Sequence, residues 1–112
     1  MATHSPKFLD AVWAKGTIDP HNDPDVWRKD QCGAWIGRHY RSRYSQYGWE
    51  VDRITTGQNG GEYTVGNCRP LQWRNNADKS GGRLKCKVTA AGVHNADADG
   101  RPVALPRPTV AS

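Results

Sequence analysis

The apolar positions of this chain fall into short, separate patterns. Phe8, Leu9, Val12 and Trp13 recur at the spacing of one helix face. Ser5 and Pro6 precede them, a good N-cap followed by a proline whose missing N–H costs nothing at the first helical position. With Lys15 in the last turn and Gly16 just beyond it, the pattern predicts an amphipathic helix over 6–15. Residues 17–25 read as a connector punctuated by Asp19-Pro20 and Asp23-Pro24. Cys32, Ala34 and Ile36 alternate with Gly33 and Trp35, which predicts a strand over 32–36. Trp49, Val51 and Arg53 alternate with Glu50, Asp52 and Ile54 and predict another. The loop after it, 55–66, carries Thr-Gly, Asn-Gly and Gly-Gly pairs that reverse the chain. Leu71 and Trp73 offer a short apolar strand. Residues 73–79 lack Pro and Gly and give about two helical turns before Ser80-Gly81-Gly82 stops them. Residues 85–88 can add a short edge strand. Beyond them Ala, Gly, Asp and Pro dominate, and 89–112 is expected to be a flexible tail.

These elements predict an α+β fold. A chain of 112 residues makes one small domain with one core, here expected over 1–88 with its informative part at 49–81. No apolar run approaches the ~20 residues of a membrane span, and nothing at the N-terminus resembles a signal peptide. A soluble, intracellular (cytoplasmic) protein is expected. Cys32, Cys68 and Cys86 are single and widely spaced, so neither a four-cysteine structural zinc site nor a disulfide framework is expected. They read as thiols in a reducing compartment.

Charge changes the picture more. The net charge is +5, but residues 1–30 hold four Lys/Arg against five Asp, while 31–87 hold ten against four acids. Positive charge therefore gathers around the strand–loop–strand–helix segment, which suits a polyanionic partner. Ordinary solubilising surface charge is the plainer reading. Arg38, Arg41 and Arg43, interleaved with His39, Tyr40, Tyr44 and Tyr47, form a basic-aromatic run. Guanidinium groups can pair with phosphates there and tyrosines can stack. The same tyrosines could instead cover the edge of the core.

The segment 49–79 resembles the ββα-metal core of HNH endonucleases. In the commonest form of that core the first strand ends in Asp-His, an Asn follows the loop, and the helix carries a His or Asn three residues before a Lys. This chain has Asp52-Arg53, then Asn67, then Asn76 three before Lys79. Three of the four polar positions match; the catalytic His is replaced by Arg53. Residues 12–16, 30–36 and 47–52 also resemble the approach to the core in a bacterial and phage subgroup, so a phage or mobile-element protein would be consistent.

The resemblance implies a mechanism for phosphodiester hydrolysis: a His base activates water while one divalent cation, Mg²⁺ or Mn²⁺, offsets phosphate charge. Carried over residue by residue, Asp52 and Asn76 would hold the metal and Asn67 would bind backbone across the loop. Asp52, Arg53 and Asn67 would form the catalytic group. Arg38, Arg41, Arg43, Arg53, Arg69, Arg74 and Lys79 would contact nucleic acid, DNA above all. Each residue also has a plainer reading: Asp52 can pair with Arg53, Arg69 or Lys79, Asn67 can be a turn residue, and Asn76 a surface amide. Arginine stays protonated and cannot accept a proton from water, though it can grip phosphate. Three explanations of Arg53 stay open: an inactive descendant that still binds nucleic acid, an active nuclease with a displaced base such as His39 or a metal-bound hydroxide, or a dead version of an active enzyme. A protein-interaction module using the tail or first helix is a further alternative.

Overall fold

The computed structural model describes residues 4–77, 79 and 82–103. Helix α1 (Pro6–Trp13) begins as its sequence predicts, with Ser5 Oγ accepting the Phe8 amide at 3.1 Å. It ends two residues early. The Lys15 and Gly16 amides bond three residues back to Val12 and Trp13, which tightens the last turn. Arg28 then caps the free carbonyls of Ala14 and Gly16 at 3.0 and 3.1 Å.

Three antiparallel strand pairs follow: β1 (Trp27–Lys29) with β2 (Trp35–Gly37), β3 (Trp49–Arg53) with β4 (Cys68–Gln72), and β5 (Val88–Ala91) with β6 (His94–Asp97). Helix α2 (Trp73–Ala77) leaves β4 without a break. Mixed α+β architecture is therefore observed, and the order strand, loop, strand, helix appears where the sequence predicts it.

The core has two parts. Val12 and Trp13 from α1 meet Ile36, Trp49 and Cys68, with Phe8 and Val51 alongside. The Trp13 and Trp49 rings lie 5.5 Å apart, a tilted aromatic contact. A second cluster joins Ala34, Val88 and Val103, with Trp73 packed on it.

The strand expected over 32–36 is displaced to 35–37. Residues 30–34 form a turn instead, because Gly33 adopts φ +80° and Asp30 Oδ1 accepts the Cys32 and Ala34 amides, both at 2.9 Å. β1 was not foreseen.

The expected flexible tail from 89 is corrected as far as Val103. A hairpin forms around Gly92-Val93, with Gly92 at φ +65° in the first turn position. It docks through Asn95, which is 3% exposed. Asn95 Oδ1 accepts the Trp35 amide at 2.7 Å, and Nδ2 donates to the Trp35 carbonyl at 2.9 Å. That side chain completes the open edge of β2 as a neighbouring strand would. Residues 104–112 of the expected tail lie outside the described residues.

The cysteines also differ from expectation. Cys32 and Cys86 form a disulfide with Cα atoms 5.3 Å apart, which leaves Cys68 as a buried thiol. Burial raises the Cys68 thiol above its ordinary value. No helix among the described residues is long and apolar enough to cross a membrane.

Candidate functional site

β3 and β4 pair so that Asp52 faces Arg69 across the ladder. Asp52 is 3% exposed. Its Oδ2 accepts Arg69 Nε at 2.8 Å, and its Oδ1 accepts Lys79 Nζ from beyond α2. Lys79 also donates to the Arg53 carbonyl at 3.2 Å, and Arg69 Nη1 to Gln31 Oε1 at 2.6 Å. One buried carboxylate thus holds two cations, each with little solvent exposure. Such a group is costly to break, because loss of one partner leaves a charge uncompensated.

Arg53 points elsewhere. Its guanidinium lies 4.3 Å from the centroid of the Tyr63 ring, and Nη1 makes a long 3.5 Å contact with the Gly61 carbonyl. Tyr63 was not singled out from sequence. A lone aromatic in a Gly-rich loop carries no periodic signal, and only the fold brings it under Arg53.

Asn67 sits where the loop rejoins the hairpin. Its Oδ1 accepts the Thr55 amide at 2.8 Å, and its Nδ2 donates to the Thr55 and Glu62 carbonyls, both at 2.9 Å. Backbone contact across the loop, implied by the resemblance, is what the side chain makes. Lys15 fastens the same end of the loop by donating to the Val65 and Cys68 carbonyls.

The paired asparagines of α2 have different environments. Asn75 is fully buried. Its Nδ2 donates to Asp30 Oδ2 and the Val88 carbonyl, both at 3.0 Å, and its Oδ1 accepts the Lys87 and Val88 amides, both at 2.9 Å. Asp30 in turn accepts the Gln72 amide at 2.9 Å. Burial raises the Asp30 carboxyl above its ordinary value, although the N–H groups aimed at it oppose the rise. Asn76 is half-buried and lines a hollow with Ser42, Arg43, Tyr44, Glu50, Trp73 and Ala77. Asp52 does not line that hollow. Asp52 and Asn76 thus have different surroundings: the carboxylate is engaged by Arg69 and Lys79, and the amide lines the hollow beside Tyr44 and Trp73.

A Mg²⁺ or Mn²⁺ ion does not fit these residues as they stand. Both Asp52 oxygens accept from cations, so a metal would have to displace Arg69 or Lys79 to bind there. Among the described residues no group of three or more His, Cys, Asp or Glu side chains comes together.

The basic-aromatic run divides. Arg38 is held by Asp10 at 2.7 Å and Asp25 at 3.5 Å. Tyr40 and Tyr47 cluster with Trp27, with centroids 4.9 to 6.1 Å apart, and the three rings line a hollow with Trp35 and Val93. Arg41 and Arg43 are exposed, and Tyr44 stands exposed against the edge of Trp73. Arg74 is half-buried on α2. His39 lines a hollow against α1 with Pro6, Leu9, Asp10 and Trp13, and makes none of the Asp52 contacts.

Comparison of the chain with protein-family models, with curated proteins and with solved structures finds no match.

Proposed function

We propose that the chain is an HNH-endonuclease-type protein that binds DNA without cutting it. The observation that carries this reading is the state of the Asp52-Arg53 pair. Asp52, the implied metal ligand, is buried with both oxygens engaged by Arg69 and Lys79. Arg53 supplies a fixed positive charge where a neutral imidazole would take a proton from water. The hairpin, the Asn67 clasp and the helix support the HNH scaffold; the side-chain chemistry supports grip over hydrolysis. Arg53 offers a planar fork to a phosphate from its seat on Tyr63. Arg41 and Arg43 extend the positive surface from the 38–47 run.

The test is binding of a short DNA duplex followed by fluorescence anisotropy across a salt series, with and without Mg²⁺. This reading expects affinity that falls steeply with salt and is indifferent to Mg²⁺. Absence of measurable affinity at moderate salt would favour a protein-interaction module on the same scaffold.

A further inference from the structure

Residues 79–96 contain no Asp or Glu, while Lys79, Arg83, Lys85 and Lys87 fall within nine positions. Lys79 is spent on Asp52. The other three are exposed, and none has a side-chain partner among the described residues. Leu84 between them is half-buried, and Cys86 is bonded to Cys32. Leu84 is the one side chain of 83–87 that is partly covered, and the three cations face solvent.

This strap passes close to the site at its start and is fastened at its end. At its start, a Cβ on Gly82 would stand 3.1 Å from Thr56 Cγ2, which puts the chain beside the loop that leaves Arg53. Near its end, Cys86 is covalently fixed to Cys32. The Lys87 amide donates to the buried Asn75 at 2.9 Å. Cys32 adjoins Gln31, which holds Arg69. The strap therefore runs from the Arg53 side of the site to the Arg69 side.

We infer that residues 82–87 are a second DNA-backbone contact, with Arg83, Lys85 and Lys87 each engaging a phosphate beside the Arg53 site. The inference rests on the DNA-binding reading above. Solubilising lysines are normally scattered and interspersed with acids. Here three unpaired cations ride a tethered backbone, so little ordering entropy opposes their binding a polyanion. A duplex, with its evenly spaced phosphates, is the partner that charge and geometry fit.

The experiment compares salt-dependent binding of one DNA duplex by the wild type, by Arg83→Gln/Lys85→Gln/Lys87→Gln, and by a control, Lys7→Gln/Arg101→Gln. Matched denaturation midpoints establish that each folds. Loss of three phosphate contacts lowers the log–log salt slope by about 2.7. The wild type then loses about 40-fold more affinity than the triple variant between about 50 and 200 mM salt. The control keeps the wild-type slope. A triple variant with the wild-type slope overturns the strap assignment while leaving the DNA reading standing. A control that falls as far as the triple variant also overturns it, since net charge alone would then account for the loss. If the wild type shows no salt-dependent binding, the DNA reading itself fails and takes the strap with it.

Discussion

Asn75→Ala should be among the most damaging substitutions in this chain, and Asn76→Ala among the least. Asn75 has no solvent exposure and makes four hydrogen bonds. Truncation leaves the Val88 amide, the Val88 carbonyl and the Lys87 amide without that partner. Asp30 Oδ2 keeps the Gln72 amide. Each unmet buried group costs about 1–3 kcal/mol, so three of them cost about 3–6 kcal/mol once some water enters the gap. That is a large share of the roughly 5–15 kcal/mol that holds a domain together. Asn76, whose amide has no partner among the described residues, should change stability by no more than about 0.5 kcal/mol. Urea denaturation with the disulfide intact measures both. An Asn75→Ala variant within about 1 kcal/mol of wild type would refute the assignment of Asn75 as the strut between α2, Asp30 and β5. So would an Asn76→Ala loss of equal size.

Other expectations follow from the same contacts. Asp52→Ala should cost about 3–5 kcal/mol in denaturation, because Arg69 and Lys79 lose their shared counter-charge; no loss would show the group to be loosely solvated. Thiol titration should find no reactive cysteine in the native protein, Cys68 alone after unfolding without reductant, and all three after reduction. The pairing spans 54 residues, so Cys32→Ser/Cys86→Ser should cost about 4 kcal/mol by loop-closure entropy. Asp30 has its folded carboxyl raised above the ordinary 3.8. Its stabilising contribution is therefore complete below 3.8 and is lost as pH rises through the higher folded value. Measured against Asp30→Asn, wild-type stability should fall across that window, and a difference that grew with pH would contradict the sign.

Much of the fold can be read from local signals. Ser5-Pro6 and the Phe8, Leu9, Val12, Trp13 face specify α1, and alternation specifies β3. The hairpin β5–β6 was hidden because Ala and Thr give a weak alternation and its anchor is polar. Asn95 bonding to Trp35, and Val88 and Val103 packing on Ala34, show why that stretch is folded. The Gly92-Val93 turn was the available signal. The disulfide was hidden by distance along the chain, and an odd cysteine count obscured the pair. Among the site residues, the Asn67 clasp was legible because its partners lie on the loop it closes. The capture of Asp52 by Arg69 and Lys79 was one of several pairings that sequence allowed, and only β3–β4 register and the exit of α2 select it. Which of two adjacent asparagines is buried depends on helix phase, which a two-residue window does not contain.

The central claim is that the protein grips DNA through Arg53 and its basic surface and does not hydrolyse it, because Asp52 is engaged by Arg69 and Lys79. The most direct measurement is conversion of supercoiled plasmid to nicked or linear forms, with Mg²⁺ and with Mn²⁺, at protein concentrations that saturate binding. Asp52→Asn, which removes the carboxylate charge and keeps one of its two acceptor oxygens, serves as the control. The account predicts that wild-type protein shifts the plasmid in a gel and leaves it supercoiled. Metal-dependent nicking by the wild type that Asp52→Asn abolishes would contradict it.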